Sequence, residues 1–309
     1  MSTDVLADIE WFRRERGPED PIVLTLHHGT THLFEGFEGS RVNMENMFGR
    51  QVYFTSCEDD AERNYASLDG PDLKNRIEHH AEMLMNDDEE LDEADARQRA
   101  LEHLYGGHEA VLTVEVSLRN PLVLGENKPH IVVKSSEDLY AEACERVARD
   151  EGVDVNELYE NMDEYDDLIS ESMDAMTEQA FSDFEEKVSV ALENTGMLPA
   201  QSDAVSELYQ LFAENTTAEE IFALLERDER FIYLFENETG LHNVKPVVSE
   251  IFHLSGHDAI ILLDASSACR NMDMQFGTSH VAVSLDCLDQ IRILDRRDLS
   301  LSAEQGFCM

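Results

Sequence analysis

Histidines, tyrosines and one glycine beside apolar runs are the residues of this chain best suited to chemistry. Ile22-Val23-Leu24-Thr25-Leu26 runs into His27-His28-Gly29-Thr30. Met47-Phe48-Gly49-Arg50-Gln51-Val52-Tyr53-Phe54-Thr55 follows, and then Ala61 and the pair Tyr65-Ala66. Glycine has no side chain, so a flat polar group can approach the backbone of Gly29; a glycine that simply ends a strand is the other reading. His28 can hold a ligand hydroxyl or serve the fold, since imidazole both donates and accepts hydrogen bonds. His27 lies on the opposite face of the same strand. The Thr30 hydroxyl can bond a ligand or satisfy the turn. Tyr53 and Tyr65 present flat faces for stacking, with core packing as the alternative.

The elements that must position these residues can be read from periodicity. Val5, Ile9 and Phe12 predict an opening amphipathic helix over 4–16, broken by Gly17-Pro18 and Pro21. Residues 22–26 form a buried strand, 32–50 a loop and 52–54 a second strand. Residues 59–66 form a helix whose acidic first turn suits the helix dipole. A polar helical stretch over 73–104 is interrupted near Asn86-Asp87-Asp88-Glu89-Glu90, which gives two helices. Residues 110–117 alternate with period two, a strand with one buried face.

Residues 136–235 differ. Helices are expected at 139–149, 155–169, 173–194, 204–212 and 218–225, with a turn marked by Gly196 and Pro199 and a capped start at Asn215-Thr216-Thr217-Ala218-Glu219-Glu220. This block contains no internal repeat and is too long for an ordinary loop; it reads as an acidic helical insertion. Tyr159, Met162, Met173, Met176, Phe181 and Phe184 are read as helix-packing core. The end of the chain returns to strands near 257–262, 280–285 and 290–294, after a helix over 247–254 and around a polar loop at 264–278.

Hydrophobic residues make up 42% of 309, enough for a real core. No run of eighteen apolar residues appears, which argues against a membrane helix, and the start lacks the order of a signal peptide. A cytoplasmic protein with no membrane partner is the expectation. Five scattered cysteines without a Cys-x-x-Cys pair indicate neither a disulfide framework nor a zinc site. With 67 acidic against 23 basic residues the net charge is -44. Such a field repels nucleic-acid backbones, so non-specific binding to them is disfavoured. Solubility, an acidic surface for a basic partner and nucleic-acid mimicry are the three explanations of that charge.

A strand ending in His-Gly-Thr, a loop, and then Gly-x-x-Val-Tyr-Phe-Thr resembles the ADP-ribosyltransferase superfamily, in its diphtheria-toxin and poly(ADP-ribose) polymerase-like His-Tyr-Glu branch. Ser117-Leu118-Arg119-Asn120-Pro121-Leu122-Val123-Leu124 is similar to transferase-like proteins of phages and mobile elements. Gly256-His257-Asp258-Ala259-Ile260-Ile261, the Val-rich strand after it and Asp289-Gln290-Ile291-Arg292 look like the family's C-terminal half. The resemblance spans roughly 20–66, 110–124 and 250–295, in the family's order.

It implies an α+β fold, an ADP-ribosyltransferase-like split antiparallel sheet whose two halves (1–135 and 241–309) flank the insertion (136–240). It also implies NAD as co-substrate, cleavage of the nicotinamide–ribose bond and transfer of ADP-ribose to a nucleophile. Positive charge then develops on the ribose, as in glycoside hydrolysis. The family's pattern carries over to His28 for the adenosine ribose, Gly29 and Thr30 for the carboxamide, and Tyr53 and Tyr65 for the two faces of the nicotinamide. Gln51 replaces a family glycine. The glutamate that orients the ribose 2′-hydroxyl is missing, because no glutamate lies between Glu250 and Glu304. Ser279 or His280 stands in its place, with Asp273 and Gln275 in the preceding loop; strand register decides between the first two.

The functional expectation is a mono-ADP-ribosyltransferase, a toxin or defence effector by the same resemblance, in which His28, Tyr53 and His280 are catalytic and which modifies a protein or nucleic-acid acceptor. A cognate antitoxin or regulator would shield the helical insertion. A catalytically silent NAD sensor or acidic interaction module on the same fold is the alternative, and an NAD hydrolase a third outcome.

Overall fold

The computed structural model describes residues 4–16, 20–39, 48–49, 51–88, 91–125, 132–215, 217–238, 240, 242–263 and 278–299. The chain divides into two compact units, Met1–Asn43 with Arg50–Gly125 and His257–Met309, and Met44–Gly49 with Glu126–Gly256. The boundaries thus fall at Gly125 and Gly256 rather than at 135 and 240, because the helix Lys245–Leu254 packs with the helical unit.

The first unit holds β1 (Ile22–Thr30), β2 (Gln51–Thr55), β3 (Ala110–Leu118), β4 (Leu122–Leu124), β7 (Ala259–Leu262), β8 (His280–Ser284) and β9 (Ile291–Asp298). They form one sheet in the order β4-β7-β8-β2-β1-β3-β9. The sheet is mixed rather than wholly antiparallel, since β4 pairs parallel with β7. The fold is α+β. Leu24, Leu26, Phe54, Val114, Val281 and Val283 line one face and join Val5 and Ile9 of α1 (Val5–Glu15) in a single core. Alternation along each strand sends every second residue there.

β1 runs through His27-His28-Gly29-Thr30 instead of ending at Leu26. Its partner β3 accompanies it along the whole length, from Ile22 opposite Leu118 to Thr30 opposite Ala110. Against β2 it shares one pair, His27 with Thr55, whereas β2 pairs with β8 along all five of its residues. The sheet is therefore weakly joined at the β1–β2 seam.

After β2 the chain forms α2 (Glu58–Asp60), which runs into a π-helical turn, Ala61–Ala66. α3 (Pro71–Asp87) and α4 (Glu93–Leu104) follow with the expected break between them, and Ala81, Ala96 and Ala100 let the two helices approach closely.

The second unit is helical: α5 (Ser136–Glu151), α6 (Val155–Glu160), α7 (Met162–Thr195), α8 (Ala204–Glu214), α9 (Ala218–Arg227), α10 (Glu229–Ile232) and α11 (Lys245–Leu254). α7 is one helix of 34 residues. The apolar pattern lapses at Ser170-Glu171-Ser172, but no glycine or proline is there to stop the helix. Gly196, at φ 65°, ends it. The expected turn at Pro199 lies in a two-stranded ribbon, β5 (Met197–Pro199) paired with β6 (Phe235–Asn237). Thr217 and Glu220 form the expected capping box at the start of α9. Phe184 is buried and touches Phe212 and Tyr209, while Met162, Met173 and Met176 pack around Cys144 and Ile169. Tyr159, read as core, is exposed.

Candidate functional site at the β1–β2 seam

Strand register places the candidate residues on two faces. His280, Thr55, His27 and Thr113 occupy one row across β8, β2, β1 and β3. Directly opposite residues share a face, so these four project together, and Gly29 and Tyr53 join them by alternation. His28 and Thr30 project to the other face, with Phe54. A row of its own runs from His28 through Leu112 to Arg296 on β9.

His28 is fixed by its surroundings. Its Nδ1 donates to the Tyr53 carbonyl at 2.8 Å. A carbonyl only accepts, so the neutral ring carries its proton on Nδ1 and presents Nε2 as an acceptor. Phe37, Phe54 and Phe34 surround the ring at centroid distances of 5.2, 5.7 and 6.1 Å. Burial pushes the His28 pKa down, and the bond to Tyr53 only partly opposes it. The structure thus turns His28 away from Tyr65 and His280. Its neighbour His27, the poorer match to the motif, shares their face and lies 3.4 Å from the Thr113 hydroxyl.

Gly29 answers a packing demand. A Cβ there would overlap the Ala61 carbonyl oxygen and come within 2.6 Å of Tyr65 Cβ and 2.7 Å of Ala66 N. The π turn therefore rests directly on β1, and Tyr65 is seated by the absence of a side chain at Gly29. Arg297 of β9 ties the same segment down, its Nε 2.9 Å from Glu58 and its Nη2 2.6 Å from Glu62. The Thr30 hydroxyl accepts the His32 N–H at 3.1 Å and so satisfies the turn.

His280 settles the register left open by the sequence. Ser279 uses its backbone against Ser56, its N–H donating to Ser56 Oγ at 3.0 Å and its carbonyl accepting from Ser56 N–H at 2.9 Å. The His280 ring instead reaches Asp60 Oδ2 at 3.3 Å and, in a long contact, the Tyr65 hydroxyl at 3.5 Å. Asp273 and Gln275 lie outside the described residues. Gln51 is buried beside β8, and its Oε1 has no hydrogen-bond partner among the described residues.

Asp60 is the residue that sequence reasoning missed. It is 0% exposed and sits among Thr55, Ser56, Asn64 and Thr278, all buried. Its Oδ1 accepts from Asn64 Nδ2 at 2.5 Å and its Oδ2 from the Thr278 hydroxyl at 3.4 Å. Burial pushes its carboxyl up, yet hydrogen bonds from His280, Thr55 and Asn64 outweigh that and hold it below the ordinary carboxylate value. The π turn makes the cluster. In an α-helix a residue five along points about 140° away, whereas the i→i+5 register of a π turn brings Tyr65 as well as Asn64 back toward Asp60. In the sequence Asp60 is one of three consecutive acids and looks like any first-turn residue.

The chain matches no family model, no curated protein and no solved structure in comparisons with each.

Proposed function

We propose that the protein is an NAD-dependent mono-ADP-ribosyltransferase whose site is the β1–β2 seam, on an ADP-ribosyltransferase-like split sheet. The reaction breaks the bond between ribose C1′ and the nicotinamide nitrogen. Nicotinamide leaves with the electron pair, an acceptor nucleophile on a protein or nucleic acid bonds C1′, and the acceptor's proton passes to solvent.

One observation carries this reading. Residues far apart in sequence (Gly29, Tyr65 and His280) meet beside the one position at which β1 and β2 pair. NAD suits the residues around it. NAD supplies the ADP-ribosyl group; the chain grips and orients it. The backbone of Gly29 meets the carboxamide, Tyr53 and Tyr65 enclose the ring, and His28, on the opposite face, holds Tyr53 through its bond to the Tyr53 carbonyl. His280 approaches the ribose that gains positive charge.

The cage of Phe34, Phe37 and Phe54 around His28 favours a second reading, an NAD sensor without turnover. Release of nicotinamide from labelled NAD in the presence of cell lysate separates the two. Transfer of label to a macromolecule, lost in both His28→Ala and Tyr53→Ala, is the expected result. Binding of NAD without release would leave the sensor, and release without transfer a hydrolase.

A further inference from the structure

Resting on the transferase reading, we propose that Asp60 is a positioning residue that, through His280, supplies the negative charge a family glutamate would have provided at the start of β8. The chemistry demands such a charge, because the ribose becomes cationic as nicotinamide departs, and fixed charges placed where charge develops stabilise that state. His280 alone brings none: its ring is neutral or positive. Asp60 changes the sum, since a neutral His280 and an ionised Asp60 carry one negative charge between them, as a single glutamate does.

The geometry supports the pairing at both ends. The His280 side chain is 12% exposed, while Asp60 is fully buried. An ionised carboxylate accepts only. Nε2, 3.3 Å from Asp60 Oδ2, therefore donates to it and carries the proton of the neutral ring. A histidine's tautomer is set by the bond its other nitrogen makes. Asn64 and Thr278 donate to Asp60, keeping the carboxylate ionised and its position fixed. The arrangement also explains how a buried acid is tolerated here: leaving it unpaired would cost several kcal/mol.

The test combines a spectroscopic readout with turnover on the full-length protein. Nitrogen-15 spectra of the imidazole rings report which nitrogen of neutral His280 is protonated. The wild type is expected to show the Nε2–H form, and Asp60→Asn to lose that preference. With NAD as substrate, Asp60→Asn is expected to lower kcat by about 100-fold, with KM changed far less. A second pair of variants guards against simple misfolding. His280→Glu alone sets two carboxylates side by side and is expected to be inactive. Asp60→Asn combined with His280→Glu restores a single carboxylate and is expected to recover at least about tenfold over Asp60→Asn.

Turnover by the wild type with an unchanged tautomer and kcat in Asp60→Asn would overturn the assignment, as would a double variant no better than the single ones. Absence of NAD turnover in the wild type would sink the transferase reading and this role with it. The wild-type arm alone identifies that case, whatever the ring spectra show.

Discussion

On α7 of the helical unit the polar side chains stay outside: Glu185 and Glu186 are exposed, while Phe184 and Val188, one turn apart, are buried. Beneath residues 58–66 of the sheet unit the order is reversed. There Asp60, Asn64, Thr55 and Thr278 are buried together and bonded to one another or to His280. Acidic residues on a solvated helix face keep their hydration and contribute to the protein's large negative charge. A buried carboxylate is costly and persists only where its surroundings satisfy it. Places where a sequence departs from apolar-in, polar-out are where function is to be sought. By that criterion the seam, rather than the acidic helices, is where the proposed activity is to be sought.

Substitutions can break the contrast. Asp60→Ala removes one partner of a buried pair and strands the donors around it, so it should cost about 3 kcal/mol in urea unfolding. A value near that of a surface substitution would erase the distinction between the two regions. Gly29→Ala forces a methyl group into the Ala61 carbonyl and should cost about 2–3 kcal/mol. It should also unseat Tyr65, and a crystal structure of the variant with Tyr65 unmoved would contradict the packing account.

The pH dependence of stability sharpens the same comparison. His28 is held below its ordinary 6.5. As pH falls below 6.5 the unfolded chain takes up a proton that the folded ring refuses, so stability declines until the folded ring also protonates. His27 is lowered too, first by burial, and adds to the slope. Thermal scans from pH 8 to 5 should show the decline, reduced in His28→Gln. The contribution of Asp60 has its own window: its carboxyl lies below the ordinary 3.8, so its stabilisation is complete above that pH and lost only below it. A decline that His28→Gln leaves untouched would place the titrating group elsewhere.

Smaller effects are expected at the surface. Arg297→Gln breaks two ion pairs whose members are each about two-fifths exposed, so its cost should stay near or below about 1 kcal/mol. Glu185→Gln in the helical unit should change stability by no more than about 0.5 kcal/mol.

Much of the framework was legible because periodicity is local. The break between α3 and α4, the period-two strand β3 and the capping box at Thr217 all follow from residues within one or two turns of each other. What stayed hidden depends on distant partners. β1 extends to Thr30 because β3 lies beside it, not because His27-His28-Gly29-Thr30 favours a strand. α7 continues through Ser170-Glu171-Ser172 although the apolar pattern pauses there. At the site, the motif located Gly29 and Tyr65 and left Ser279 or His280 in the place of the missing glutamate; the fold brings Gly29, Tyr65 and His280 together. It did not reveal that His28 faces away from them, because register is a property of the sheet. Asp60 was invisible for the same reason: only burial distinguishes it from Glu58 and Asp59, and burial arises from the π turn packing on Gly29.

The measurement that bears most directly on the account is a map of backbone amide shifts in the full-length protein as NAD is added. The account predicts saturable shifts centred on Gly29, Tyr53, Tyr65 and His280, with the exposed face of α7 unmoved. Shifts confined to the helical unit, or none at millimolar NAD, would contradict it.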